Sequence, residues 1–549
     1  VTPETRRIRA IRASRTLLAL LAALVVSVTG VLPAQAVTYD PISGSGSTWS
    51  QNALDQWRTN VASNYGMTVN YNGAGSSAGR SDYIAGLVDF AVSEVPFQLA
   101  PENGTAPEKP ERGYAYMPIV AGGTSFMYNL KINGVRVSNL RLSGEVVTKI
   151  FTGGITNWND PAIQADNPGL AMPDKGIVPV VRSDGSGSTA QFTLWMSKQH
   201  PDIWNAFCAS VNRPVPCGLT SQYPTFGNAK AQSLSSGVAG YVSQDYGEGA
   251  ITYVEYSYAL ESGFPVAKVL NQSGYYVEPT ASSVAVALTT AQIDQTPGPS
   301  YLTQVLDGVY NSGDARTYPL SSYSYMIVPT EVGGVFTAKK GVTLGAFANY
   351  MLCEGQQQAA DLGYSPLPMN LVLAGFDQIK KIPGADTTGV DINKCNNPTF
   401  KPGDSPSSNL LALTAAQPQD CDKVGPNQCT TGTAGAVAET PISGGGTGGS
   451  ATGGPAAENA ATGTDAAAAA AGATGAAAVY DANGALVSGA VAGSSLAGAV
   501  ATPFALSDDG WGMQQSLMLL AALLLVGAAV LPPVFWRRLA PRGGKDGVK

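Results

Sequence analysis

Three glycine- and serine-rich stretches hold the groups in this sequence best suited to chemistry. They are Gly44-Ser45-Gly46-Ser47-Thr48-Trp49, Gly73-Ala74-Gly75-Ser76-Ser77 and Arg182-Ser183-Asp184-Gly185-Ser186-Gly187-Ser188-Thr189. Each stands before a helical pattern, as in Gln191-Phe192-Thr193-Leu194-Trp195. A helix start presents unpaired backbone N–H groups and the positive end of the dipole, and Ser or Thr hydroxyls add further donors. Glycine lets the backbone approach an anion closely. Three such starts brought together make a cage for a tetrahedral oxyanion. Arg182 adds a charge-assisted fork, and Asp184 two residues later is placed to orient it.

Taken singly, each loop is more simply read as a turn followed by an N-cap. Together they point to an anion. No Lys follows the glycines as a Walker loop requires, and the dinucleotide spacing is met only with Ala78 or Ala190 in place of the third glycine. The chain has one histidine, His200, and Pro201 behind it marks a helix end. That scarcity removes most Ser-His, Cys-His and His-metal chemistry, and no metal or other cofactor is expected.

The elements that must position these loops alternate along the chain from about Thr38 to Ile382. β-rich runs such as Met67-Thr68-Val69-Asn70-Tyr71, Val88-Asp89-Phe90-Ala91-Val92 and Ile177-Val178-Pro179-Val180-Val181 are separated by helical patterns. That alternation predicts an α/β architecture with largely parallel sheets. The 549 residues exceed what one hydrophobic core holds. A net charge of −7 argues against nucleic acid as the main partner.

The two ends read differently from the middle. Arg6, Arg7, Arg9, Arg12 and Arg15 lead into the apolar run from Leu17 to Leu32 and then Ala34-Gln35-Ala36. Basic start, short apolar run and small-residue cleavage site predict a signal peptide over residues 1–36. Six cysteines suit an oxidising exterior. Cys208/Cys217 and Cys421/Cys429 are near enough to close small loops, which leaves Cys353 and Cys395. Spacing alone does not choose among the 15 possible pairings. Residues 430–512, rich in Gly, Ala, Ser and Thr, are expected to form a flexible linker, after a Cys-containing extension over 401–429. The apolar run from Leu517 to Phe535 predicts a transmembrane helix over 514–536. Arg537, Arg538, Arg542 and Lys545 place the tail, 537–549, in the cytoplasm and the body on the extracytoplasmic face of the membrane.

With these residues in view, the chain resembles the substrate-binding proteins of phosphate ABC importers, the PstS type, over roughly residues 40 to 382. The resemblance rests on the three loops, on Val69-Asn70-Tyr71, Val88-Asp89-Phe90-Ala91-Val92-Ser93 and Ile150-Phe151-Thr152-Gly153, and on Ile155-Thr156-Asn157-Trp158-Asn159-Asp160-Pro161. Tyr253-Val254-Glu255-Tyr256 and Tyr318-Pro319-Leu320 complete it. It implies a two-lobed periplasmic-binding-protein (type II) fold with a hinge, over residues 37–400. Lobe 1 would hold about 37–120 and 318–382, and lobe 2 about 121–317. It also implies a binding function rather than catalysis, with inorganic phosphate as ligand and the permease of an ABC importer as partner.

Carried over by motif, lobe 1 would supply Thr48, the backbone N–H of Trp49, Ser76 and an acid. Lobe 2 would supply Arg182, Ser186, the Gly187 N–H and Ser188. The acid is Glu94, where the family usually has aspartate to accept the proton of hydrogen phosphate and repel sulfate. Ser188 stands where threonine is usual. The competing reading is an extracellular phosphatase-like enzyme on the same fold. Ester hydrolysis usually needs a strong nucleophile or a metal pair, and the sequence shows no His/Asp cluster for one.

Overall fold

The computed structural model describes residues 38–436, apart from 100, 102–105 and 299, together with one short strand pair further on. That pair, Val479–Tyr480 with Leu486–Ser488, is antiparallel and belongs to a separate unit. The expected signal peptide, transmembrane helix and cytoplasmic tail lie outside the described residues, as does most of the linker. Among the described residues, no helix is long and apolar enough to cross a membrane.

One eight-stranded sheet runs through the body. Its strands are β1 (Ile42–Gly46), β2 (Val69–Asn72), β3 (Phe90–Ser93), β4 (Tyr114–Tyr128), β5 (Val178–Arg182), β6 (Lys230–Gln232), β7 (Ala250–Glu255) and β8 (Ser321–Pro329). Their order is β2-β1-β3-β8-β4-β7-β5-β6. β1 pairs parallel with β2 and β3, and β5 pairs parallel with β6 and β7. The pairings at the centre, β3 with β8, β8 with β4 and β4 with β7, are antiparallel. The expected parallel arrangement is therefore found within each half, and the join between halves departs from it. The chain crosses from one half to the other on β4 and returns on β8.

β4 makes the crossing because it is long and buried over nearly all its length. Its residues 114–123 pair with β8, and 124–128 pair with β7. Pro118 has no N–H to give the ladder, and the register slips there, so that Ser324 faces Val120 while Tyr325 faces Pro118. At the crossing sit Gly122 and Gly123, and both are required by close packing. A Cβ on Gly122 would fall 2.8 Å from the Trp49 ring, and one on Gly123 2.6 Å from the Pro279 side chain.

Helices leave the C-terminal ends of the parallel strands. β1 leads to α1 (Gln51–Tyr65), β2 to α2 (Ser76–Ile84), β5 to α3 (Gly187–Gln199) and β6 to α4 (Leu234–Ser243). α1 buries Ala53, Leu54, Trp57 and Val61 on one face and ends at Gly66, whose left-handed backbone (φ 68°) returns its N–H to Val61 and Ala62. In open α/β sheets, ligands collect in the crevice outside the carboxyl ends of the strands. Here two such crevices face each other.

The residues after Ile382 pack against both halves. The six cysteines pair as Cys208–Cys217, Cys353–Cys395 and Cys421–Cys429. The second bridge ties the stretch just before the extension to the end of helix Ala338–Leu352, and Asn397 and Thr399 hydrogen-bond the Leu367 carbonyl at 3.1 and 2.9 Å. Further on, Asp422 pairs with Lys268 at 2.7 Å with both side chains about nine-tenths buried. Arg141 donates to the carbonyls of Cys421 and Asn427 at 3.0 and 2.9 Å. Thr433, 1% exposed, donates its N–H to Ser138. The folded body thus includes Thr433, a few residues into the segment expected to be linker, because Thr433 has a backbone partner and a buried site.

Removing one partner of a buried ion pair leaves the other charged and unsolvated. Asp422→Ala is expected to lower unfolding free energy by about 3 kcal/mol in urea titration. Asp420→Ala, at an exposed position in the same turn, should leave it nearly unchanged.

Candidate functional site

The four helix starts meet between the halves, and every expected binding residue lies at or beside them, buried. Thr48, Ser76, Glu94, Arg182 and Ser188 are each no more than 3% exposed. Arg182 ends β5 with its guanidinium turned back onto Asp184. Nε donates to Asp184 Oδ1 at 2.7 Å and Nη2 to Oδ2 at 2.5 Å. Two further guanidinium N–H groups reach Ser235 Oγ (3.1 Å, from Nη1) and Thr48 Oγ1 (3.3 Å, from Nη2). The cation is therefore neutralised and aimed by Asp184, as its spacing predicts, and one edge faces the opposite half.

Asp184 has a second donor that the sequence did not announce. Leu234, the first residue of α4, holds a left-handed backbone (φ 65°) and gives its N–H to Asp184 Oδ1 at 2.8 Å. A branched residue adopts that conformation only at a cost, and such strain gathers at functional sites. Ser235 follows it. Its hydroxyl lies 2.8 Å from Thr48 Oγ1, and its N–H donates to the same oxygen at 3.2 Å. The available signal was the run Ser233-Leu234-Ser235-Ser236-Gly237 before a helical pattern, a fourth loop of the same kind.

Glu94, just past β3, is 1% exposed and held by three hydroxyls. Ser47 and Ser76 donate to Oε2 at 2.7 and 2.8 Å, and Ser324 on β8 donates to Oε1 at 2.8 Å. Burial pushes its carboxyl above the ordinary carboxylate range, and the Ser47, Ser324 and Ser76 hydroxyls draw it part of the way back. Ser47 and Ser324 were not anticipated. Ser47 adjoins Thr48, but Ser324 comes from a strand 230 residues away with no local motif. Gln191 on α3 donates to the Glu94 carbonyl at 2.8 Å, across the cleft.

The N-terminus of α3 closes the arrangement. Ser186 is its N-cap, accepting the Thr189 N–H at 3.2 Å. The Gly187 N–H donates to Ser76 Oγ at 3.1 Å, so Ser76 joins the start of α3 to Glu94. A Cβ on Gly187 would fall 1.7 Å from Glu94 Oε2, so only glycine permits this approach. Ser188 Oγ is buried without a partner among the described residues. The Trp49 N–H turns to Ser47 Oγ at 2.9 Å. His200 stands apart, packed edge-on against Trp195, with burial holding its pKa below the usual value.

The result is a cleft with one neutralised guanidinium, several hydroxyl and backbone donors, one buried acid, and contributions from both halves. Such a set can hold an oxyanion by hydrogen bonds rather than by net charge, with the acid available to accept a proton from it.

A model for the PBP superfamily domain matches residues 33–354. Three curated relatives are each 31% identical: the phosphate-binding protein PstS of Xylella fastidiosa (strain Temecula1), PstS of Pasteurella multocida, and PstS 2 of Mycobacterium tuberculosis (strain H37Rv). The alignments cover 60, 63 and 60% of this chain and 82, 90 and 83% of those proteins. With its periplasmic-binding-protein-like α/β fold, this chain belongs to the PstS family of phosphate-binding proteins.

Proposed function

We propose that this protein captures inorganic phosphate in the cleft between its two halves and delivers it to the permease of an ABC importer. The carrying observation is the buried Arg182 fork and the start of α3 meeting Thr48, Ser76 and Glu94 across the cleft. Donors to the anion are Thr48, the Trp49 N–H, Ser76, Arg182, Ser186, the Gly187 N–H and Ser188. Glu94 accepts the ligand's proton, and Asp184 orients the guanidinium. The membership of the family supports a binding role rather than catalysis. The reading includes export by the first 36 residues, two lobes divided near residues 120 and 318, and a membrane anchor over 514–536. The anchor would hold the binding body at the extracytoplasmic surface by a tether.

Titration calorimetry on the exported body should show heat with phosphate, and little with sulfate or a phosphate ester. A folded body silent to millimolar phosphate would overturn the assignment. Arg182→Ala should weaken phosphate by at least about tenfold to a hundredfold, the worth of a charge-assisted bond of about 1.5–3 kcal/mol. Ser77→Ala should cost little, since Ser77 meets the facing half by its backbone N–H. Equal, small effects at both positions would remove Arg182 from the site.

Glu94→Gln replaces an acceptor by a possible donor of the same size. Phosphate affinity should fall while sulfate, fully deprotonated near neutral pH, gains relative to it, because two facing acceptors with no proton between them repel strongly in a dry site. Competition between the two anions on both proteins measures the shift. An unchanged ratio would show that Glu94 does not read the proton.

A further inference from the structure

A second buried acid lies beneath the cleft, outside the set just described. Glu255 ends β7 and is fully buried. Its Oε1 accepts the Ser257 N–H at 3.0 Å as N-cap of the helix Tyr256–Ser262, and its Oε2 has no partner among the described residues. Register identifies its neighbours. Glu255 faces Thr124 on β4, and Ser322 on β8 faces Gly122. Residues 122 and 124 share one face of β4, and cross-strand partners share that face too. The space above Gly122 on this face is filled by Trp49 and Tyr364.

Thr124 Oγ1, Ser322 Oγ and Trp49 Nε1 are likewise buried without partners among the described residues. Four orphaned polar groups therefore lie on or against this one face near residues 122 and 124, between the halves. Glu255 and Thr124 belong to one half, and Ser322 and Trp49 to the other. Two residues further along the same face, Ser324 donates to Glu94. The floor thus leads from one acid to the other.

We infer that Glu255 is a positioning residue of the anion site. Kept as a neutral carboxylic acid, it lets the floor join the two halves beneath a bound anion without setting a second negative charge there. This inference rests on the oxyanion reading of the cleft. A neutral carboxyl both donates and accepts, which suits a neighbourhood of hydroxyls and an indole N–H. An ionised one would be left with one unsatisfied buried oxygen and would repel both Glu94 and the ligand.

Burial first of all holds the Glu255 carboxyl well above the ordinary range. The charge of Glu94 adds to this, while the Ser257 N–H, the nearby Tyr364 hydroxyl and the Tyr256 N–H oppose it. Tyr258, on the helix that Glu255 caps, completes the titratable groups facing it, with Arg182 beyond. The sign for stability follows. Between the ordinary carboxylate range and its own raised value, Glu255 keeps a proton in the folded chain that the unfolded chain has lost. Its contribution is full below that window and falls as pH rises through it.

Glu255→Gln keeps the shape and cannot ionise. Three measurements on wild type and this variant test the inference. Infrared spectra near neutral pH should show a carboxylic-acid C=O band in wild type that is missing in Glu255→Gln and survives in Glu94→Gln. The melting temperature of Glu255→Gln relative to wild type should climb as pH rises. The ratio of wild-type to variant dissociation constants for inorganic phosphate should grow by roughly tenfold as pH rises through the titration of Glu255, which the loss of its infrared band marks, the scale of one like charge nearby in a partly dry site. Identical infrared spectra, or parallel melting and binding profiles, would overturn it. Wild type that binds no phosphate, yet shows the band and the melting trend, would overturn the phosphate reading and leave Glu255 as a neutral hinge acid.

Discussion

The structure depends on taking one guanidinium out of water. Arg182 lies at the end of β5, where hydration cannot reach it, and a buried cation is tolerable only when paired and hydrogen-bonded. Asp184 meets that need, and its own remaining demand draws in the Leu234 N–H and with it the start of α4. Thr48 and Ser235 then accept two more of its N–H groups. The starts of α1 and α4 and the left-handed Leu234 all meet this one pair. What a ligand meets is an edge of positive potential set among hydroxyls and backbone N–H groups, several of which here bond Glu94 or one another.

Glu94 shows how a longer side chain is accommodated in such a site. An extra methylene carries the carboxylate toward the opposite half, and two features absorb the change. The facing residue is Gly187, which offers no Cβ to strike. Ser324 caps the second oxygen from β8, so the carboxylate has one dominant position rather than several. The hydroxyls lower the cost of its charge while burial raises it, and burial is the larger influence.

The parts of the site that were legible in the sequence are those whose chemistry is local. Arg182 and Asp184 are two residues apart, and Thr48, Ser76 and Ser186 lie in loops whose glycines and hydroxyls announce a helix start. The disulfides joining Cys208 to Cys217 and Cys421 to Cys429 follow the same rule of nearness. Ser235 stands in a fourth hydroxyl-rich run like the three loops, but Ser324 and Glu255 were not legible as site residues. Each is an ordinary residue in its own segment and gains a role only when β8 and β7 fold against β4. The antiparallel centre of the sheet was hidden for the same reason, since alternating strands and helices record local order and say nothing of a chain that crosses and comes back. Glu94 was legible as a departure from a pattern, but its three serine partners were legible only in part, through Ser76.

The segment from Cys395 to Thr433 bears on what counts as one domain. The family model ends at residue 354, whereas packing against the body continues through Thr433. Lys268 and Arg141 lie within the matched span, yet groups that satisfy them, Asp422 and the carbonyls of Cys421 and Asn427, lie beyond it. Cut at the edge of the match, the chain would keep two cations and lose acceptors that make their burial tolerable. A module that can be recognised by sequence in this chain is not one that can be excised by its outline.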